Sequence, residues 1–107
     1  MNKMDIKEIK YAENGISNIG VSVVDLYGNN CPACLSVHHL LETVAKDYEN
    51  VSLLKLNVDE NIDEAKKLGV RSLPTLIFFK DGEERHRHSG MISKAEFTKT
   101  VNKLLNE

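Results

Sequence analysis

The alternation of apolar and polar positions divides the chain into strands and helices. Three runs rich in β-branched and apolar residues predict buried strands, namely VSVVDLY (21–27), VSLLKLNV (51–58) and TLIFFK (75–80). A run that is apolar at nearly every position suits a strand that is covered on both faces. Weaker patterns predict a short strand near residues 6–9 and a short helix around residues 11–19. The middle of the chain is therefore expected to form a sheet.

Helical periodicity appears between these strands. After the first strand, apolar side chains recur at the spacing of one helix face, at Val37, Leu40, Leu41, Val44, Ala45 and Tyr48. Cys34 lies three residues before Val37 and therefore belongs to the same inner face. After the second strand, a shorter helix that Gly69 can end is marked by Ile62, Ala65 and Leu68.

The last third of the chain predicts a hairpin and a helix. Asp81 and Gly82 suit a tight turn after the third buried strand, followed by a charged strand over residues 83–88 at the edge of the sheet. Ser93 and Glu96 have capping-box spacing ahead of an amphipathic helix. This order of elements predicts an α/β fold in one domain over residues 1–107, with a central mixed β-sheet flanked by helices on both faces.

Charge and composition exclude several classes of function. The chain has 107 residues and a formal net charge of −2, with Lys interleaved with Asp and Glu, so no basic stripe for nucleic acid is present. No apolar run is long enough to span a membrane, and the N-terminal MNKMDIKEIK lacks the apolar core of a signal peptide. We therefore expect a cytoplasmic monomer that binds neither nucleic acid nor membrane.

Both cysteines of the chain lie in the segment GNNCPACLSVHH, at Cys31 and Cys34. Pro32 suits the first position of a helix, because its ring fixes a helical φ and it has no N–H to leave unsatisfied. Cys31 then becomes the N-cap, where free backbone N–H groups and the helix dipole favour a thiolate. We expect Cys31 to be the attacking nucleophile and Cys34, which faces the core one turn later, to be the resolving thiol.

Four blocks of the sequence carry a family resemblance, namely VVDLYGNNCPAC, KLNVDEN, GVRSLPTLIFFKDGE and SGMISK. They resemble successive blocks of a thioredoxin, and the resemblance extends from about Val21 to the C-terminus. The resemblance implies a thioredoxin fold, thiol-disulfide oxidoreductase activity, and no cofactor beyond a redox-active disulfide between Cys31 and Cys34. It also implies site roles for a buried strand carboxylate, a neighbouring Lys, a cis-proline and a glycine of the substrate groove, at Asp25, Lys55, Pro74 and Gly90.

The residues themselves agree with two of these implied roles. Asp25 is the only carboxyl group in its apolar run, and burial would raise its pKa, so that it can act as a base for Cys34. Lys55 interrupts the next strand and would partly counter that rise. Only about 5–6% of X-Pro bonds in folded proteins are cis, so the cis form of Leu73-Pro74 is expected from the resemblance alone. The cis bond would expose the Leu73 backbone to an extended substrate.

The sequence differs from the usual family pattern close to the cysteines. Asn30 and Tyr27 stand where thioredoxins commonly have tryptophan, and Pro32-Ala33 replaces Gly-Pro. We expect these four residues, with the loop and groove residues above, to contact substrate. A proline directly after the first cysteine is more typical of glutaredoxins and of oxidising relatives. The direction of the reaction is therefore open, between a reductase and a glutaredoxin-like, oxidising or isomerising protein.

The alternative from another class is a non-enzymatic module of the same fold that binds a metal or a partner. His38 lies four residues after Cys34 and on the same side of the predicted helix, so the two cysteines and His38 are candidate zinc ligands. No fourth ligand is evident. We predict no metal site, and we expect His39 and the pair His86 and His88 to be solvated. We predict a cytoplasmic protein-disulfide reductase, with disulfide-containing proteins as substrates and a thioredoxin reductase or similar dithiol donor as partner.

Overall fold

The strands and helices follow one another in the predicted order. The structure, a computed structural model, describes residues 6–9 and 15–107. Its elements are β1 (Lys7–Glu8), β2 (Val21–Tyr27), α1 (Pro32–Ala45), β3 (Val51–Asn57), α2 (Ile62–Lys67), β4 (Thr75–Lys80), β5 (Glu83–Ser89) and α3 (Lys94–Leu105). The helix predicted around residues 11–19 lies largely outside the described residues, and residues 16–19 are not helical.

The five strands of the described residues form one mixed sheet in the order β1-β3-β2-β4-β5. β2 pairs in parallel with β3, which pairs in parallel with β1, whereas β4 runs antiparallel to both β2 and β5. The apolar run of β2 occupies the centre, where it is buried from Val21 to Leu26. The charged strand β5 takes an edge, as its composition predicts, because an edge strand can keep its side chains in water.

Helices cover both faces of the sheet. α1 and α3 pack on one face, where Val37, Leu41 and Phe97 join Val23 and other strand residues in one apolar cluster. The other face holds a second cluster, against which Leu68, at the end of α2, packs. Because side chains alternate along a strand, Asp25 shares the α1 face with Val21 and Val23. This alternation brings the only acidic side chain of β2 beneath α1.

α1 begins as the sequence predicts. Pro32 is its first residue and Cys31 is its N-cap, whose side chain makes no capping hydrogen bond to the N–H groups of the first turn. The inner face of the helix is buried at Cys34, Val37, Leu41, Val44 and Ala45. Tyr48 lies beyond the helix but still packs against the same cluster. Among residues 6–9 and 15–107, no helix has the length and apolarity needed to cross a membrane.

The hairpin and the cap of α3 use the predicted residues, with one difference. Asp81 and Gly82 have positive φ angles of 53° and 85°, as the two central residues of a type I′ turn require. The Ser93 hydroxyl accepts a hydrogen bond of 3.1 Å from the Glu96 backbone N–H. The Glu96 carboxylate, however, lies 3.2 Å from His88 Nδ1. Only half of the predicted capping box therefore forms.

The inner face of α2 differs from the prediction. Ile62, predicted to face the core, is 58% exposed, whereas Glu64 is buried. Glu64 Oε1 lies 3.5 Å from Lys67 Nζ, which offsets part of the cost of burying a carboxylate. A helix of six residues makes fewer than two turns, so three apolar positions do not determine which side faces inward.

Candidate active site

Cys31 and Cys34 form a disulfide in the structure, with a Cα–Cα distance of 5.3 Å. The two residues differ in exposure, since Cys31 is partly exposed at the start of α1 and Cys34 is only 2% exposed. The Cys34 backbone N–H donates a 3.0 Å hydrogen bond to the Cys31 carbonyl. An approaching molecule can therefore reach Cys31 while Cys34 faces the core. This arrangement suits an outer attacking sulfur and an inner resolving one.

The disulfide borders an open cavity of about 700 Å³. Three of the predicted substrate contacts, Tyr27, Asn30 and Pro32, line this cavity together with both cysteines. Leu35 and His38 also line it, although neither was predicted to contact substrate. The cavity therefore offers a mixed surface of aromatic, amide and aliphatic groups beside the Cys31 sulfur.

The remaining predicted contacts lie outside the lining of this cavity, at Ala33, Leu73, Pro74 and Gly90. The Leu73-Pro74 peptide bond is cis, as the resemblance implies. The Gly90 backbone N–H donates a 2.8 Å hydrogen bond to the Pro74 carbonyl, so these two positions are neighbours. Leu73 approaches the cavity wall at Gly28, where an added Cβ would lie 2.9 Å from Leu73 Cδ1. The proline loop is thus next to the loop that carries the cysteines.

Asp25 is fully buried on the strand that leads to the cysteines. Within the described part of the chain, neither of its oxygens has an aligned hydrogen-bond donor, although His38 Nε2 lies 2.9 Å from Oδ2. Burial raises the pKa of Asp25 above its usual value, and the close contact with His38 and the charge of Lys55 partly oppose that rise. The result is a carboxyl group that takes up a proton more readily than an exposed one.

Lys55 is the register partner of Asp25 in the parallel pair of β2 and β3. Its charge lowers the pKa of Asp25, as the sequence predicts. Its ammonium lies 3.8 Å from Glu8 Oε1, however, and the side chain is partly exposed. The basic group in contact with Asp25 is His38, for which the sequence suggested only a metal-binding role.

His38 connects Asp25 to the cavity. Its side chain is 23% exposed, and its ring meets the Tyr27 ring edge-on, with 4.8 Å between centroids. The contact with Asp25, at hydrogen-bonding distance, raises the pKa of His38, and burial of the ring opposes that rise. The Tyr27 hydroxyl donates to Glu8 Oε1 at 2.8 Å, and burial together with this bond raises the pKa of Tyr27 to about 12.

The sequence does contain a signal for this pair. Asp25 is the lone charge of a buried strand, and His38 follows Cys34 by one helical turn, so both belong to the face between β2 and α1. A search for apolar periodicity identifies apolar positions only, so it does not identify a histidine next to a buried position. The pairing of the two side chains depends on how α1 is rotated over the sheet.

The other histidines are arranged differently. In residues 6–9 and 15–107, no group of three or more His, Cys, Asp or Glu side chains is placed to hold a metal ion. His39 is 81% exposed, as expected, with Nδ1 3.8 Å from Glu42. His86 packs against the Phe78 ring, and His88 Nε2 lies 2.9 Å from the Met91 carbonyl. His86 is thus exposed, as predicted, although its ring contacts Phe78, whereas the His88 side chain is only 20% exposed and is less solvated than predicted.

Comparison with known proteins agrees with this geometry. A family profile described as Thioredoxin matches residues 4–103. The thioredoxin of Pseudomonas aeruginosa is 33% identical over 94 residues, which cover 87% of each chain. That of Staphylococcus saprophyticus is 40% identical over 87 residues, covering 80% of this chain and 84% of the relative.

A solved structure gives the same result for the fold. Mitochondrial thioredoxin 3 from Saccharomyces cerevisiae, in its oxidised form, superimposes with a TM-score of 0.82 at 26% sequence identity, covering 92% of this chain and 95% of the yeast chain. With the paired cysteines at the strand-to-helix junction, these similarities establish that the chain belongs to the thioredoxin family of thiol-disulfide oxidoreductases.

Proposed function

We propose that this thioredoxin-family protein acts as a monomeric reductase of protein disulfides in the cytoplasm. The observation that carries the proposal is the unequal exposure of the two cysteines at one cavity, with Cys31 accessible and Cys34 buried. A reductase needs one sulfur that meets the substrate and a second that is withheld until a mixed disulfide has formed. The chain has both, one helical turn apart.

The first step is attack by Cys31. In the reduced protein its thiolate is favoured by the N-terminus of α1, where the first-turn N–H groups have no capping side chain. The Cys31 sulfur forms a bond to one sulfur of the substrate disulfide, and the substrate S–S bond breaks. The second substrate sulfur leaves with the electron pair as a thiolate and takes a proton from water. A mixed disulfide between Cys31 and substrate remains.

The second step is resolution by Cys34. Asp25 accepts the proton of the Cys34 thiol, a role that its raised pKa and its position on the α1 face of the sheet support. The Cys34 sulfur then forms a bond to the Cys31 sulfur, and the substrate sulfur leaves as a thiolate. Two electrons have moved from the Cys31 and Cys34 thiols to the substrate, and the intramolecular disulfide is formed.

Substrate binding is assigned to the surface around the cavity. The backbone of Leu73, next to Pro74 and Gly90, would pair with an extended segment of the substrate, as in strand addition. Tyr27, Asn30, Pro32 and Ala33 would contact the side chains that flank its disulfide. Leu35, which lines the cavity, and Met91, which follows Gly90, are exposed apolar side chains and add surface that a partly unfolded protein can cover.

The proposed partners follow from the reaction. Each turnover leaves Cys31 and Cys34 oxidised, so a dithiol donor such as a thioredoxin reductase must return two electrons. A cytoplasmic location agrees with a chain whose two cysteines both belong to the redox pair, since cytosolic cysteine pairs are more often catalytic than structural. Lys55 is proposed to act on Asp25 through its charge, without contact to substrate.

Trapping of mixed disulfides tests the order of the two cysteines. A Cys34→Ser variant should accumulate a covalent complex with an oxidised substrate protein, because no thiol remains to release it. A Cys31→Ser variant should form none, since its remaining sulfur is buried. Non-reducing electrophoresis and mass spectrometry of the linked peptides measure both. A complex held by Cys34 in the second variant, and none in the first, would reverse the assigned roles.

A further inference from the structure

The contact between Asp25 and His38 has no part in the mechanism above. Asp25 is fully buried, and the only side chain that meets its carboxylate within hydrogen-bonding distance in residues 6–9 and 15–107 is His38. A base that is sealed from water needs a route by which its proton leaves before the next turnover. The position of His38, between this carboxylate and the cavity, supplies such a route.

His38 spans the boundary between core and solvent. Its Nε2 atom is buried beside Asp25 Oδ2, whereas the side chain as a whole is 23% exposed and lines the cavity that holds both cysteines. The edge-on contact with the Tyr27 ring restricts how far the imidazole can turn. The ring is therefore held with one nitrogen at the carboxylate and another part of its surface at the cavity.

The charged groups around the pair come from several elements. Glu8 of β1 and Lys55 of β3 act on Asp25 in opposite directions, and Lys55 and Glu42 likewise act in opposite directions on His38. Tyr27 faces the imidazole ring, but its raised pKa of about 12 keeps it neutral near physiological pH. Of these groups, only the His38 imidazole contacts the Asp25 carboxylate directly.

We propose that His38 is a positioning residue for proton transfer, which orients the Asp25 carboxylate toward Cys34 and conducts its proton to water in the cavity. The proposal rests on the role of Asp25 as the base for Cys34. It adds a residue of α1 to a site otherwise made of the two cysteines, Asp25 on β2 and the proline loop.

The Cys34 proton leaves the site through Asp25 and then through His38. Asp25 accepts the Cys34 proton while the Cys34 sulfur forms its bond to Cys31 and the substrate sulfur leaves with the electron pair. The proton on Asp25 passes across the 2.9 Å contact to His38 Nε2. The imidazolium then loses a proton to water at the cavity, where the departing thiolate can take it up. Asp25 is again a carboxylate, and no external oxidant or reductant is needed beyond the substrate.

The test separates the two sulfur reactions in time. Reduced protein is mixed with dithiobis-nitrobenzoate, whose first coloured thiolate is released by Cys31 attack and whose second is released by Cys34 resolution. We expect His38→Asn to slow the second release at neutral pH by at least about tenfold. This loss should be smaller than the roughly 10²–10⁴-fold that a directly acting base contributes. The first release should keep its wild-type rate, which also shows that the variant is folded.

The pH profile and a rescue experiment distinguish proton transfer from packing. The deficit in the second release should shrink at alkaline pH, where Cys34 loses its proton without help. Free imidazole should restore the rate of a His38→Ala variant, because the site opens to the cavity. His39→Asn, on the same helix but 81% exposed, is the matched control and should leave both releases unchanged.

A double variant tests whether His38 acts through Asp25. The pair Asp25→Asn with His38→Asn should resolve no more slowly than Asp25→Asn alone, because the two residues serve one step. Additive losses would overturn the proposal, as would a His38→Asn profile that matches the His39→Asn control. If Asp25→Asn itself leaves the second release unchanged, Asp25 is not the base for Cys34 and both proposals fail. If Asp25→Asn slows the second release and His38→Asn does not, only the role of His38 fails.

Discussion

At the scale of single residues, the fully buried Asp25 carboxyl makes stability depend on pH. Burial raises the pKa of Asp25, and the contact with Asp25 raises the pKa of His38. Both groups therefore hold protons more tightly in the folded protein than in the unfolded chain. Stability must then fall as the pH rises from the unfolded pKa of each group through its higher folded value.

This dependence gives a prediction for Asp25→Asn in the oxidised protein. The wild-type free energy of unfolding should decrease from mildly acidic to alkaline pH, and the variant should show a flatter profile because both shifts require the carboxylate. The variant should therefore gain stability over the wild type as the pH rises. Urea unfolding at several pH values measures the difference. A wild-type stability that rises with pH over this range would contradict the account.

At the scale of elements, the inner face of α1 carries both packing and chemistry. Leu41 is fully buried in the cluster between α1 and the sheet, whereas Leu35 on the same helix is 61% exposed. Leu41→Ala should cost about 2–5 kcal/mol of unfolding free energy through lost burial and the cavity it leaves. Leu35→Ala should change stability by less than about 0.5 kcal/mol. Equal losses in the two variants would show that α1 is not packed as described.

Much of this architecture can be predicted from the sequence, because burial on both faces leaves a strong pattern. The bounds of β2 and β4 agree with the apolar runs 21–27 and 75–80. Pro32 predicts the start of α1, since its φ and its missing N–H both suit the first helical position. Backbone preference and apolar patterning are local properties, so they can be recognised in a single sequence.

Features that depend on how elements are rotated against each other are harder to predict. The contact of His38 with Asp25 requires α1 to lie over β2 at one rotation. The sequence places His38 on the side of Cys34 but does not indicate that its ring reaches Asp25. The same limit explains the buried Glu64 and the exposed Ile62 of α2. The cis bond before Pro74 was expected only from the family resemblance.

At the scale of the whole molecule, the fold brings three separate segments to one end of the sheet. The disulfide follows β2, the proline loop precedes β4, and Gly90 follows β5. The carboxyl end of a buried parallel strand is a common place for reaction sites in α/β sheets. The site is thus a product of topology, while Asn30, Pro32 and Ala33 distinguish it from the usual family motif.

The reduction potential of the Cys31–Cys34 pair shows whether this protein reduces disulfides. Equilibration with glutathione and dithiothreitol buffers, followed by counting of free thiols, measures the potential. For a reductase we expect a value close to the roughly −270 mV of thioredoxin. A value between about −180 and −120 mV, the range of disulfide isomerases and oxidants, would contradict the proposed direction and identify the protein as a disulfide donor or isomerase.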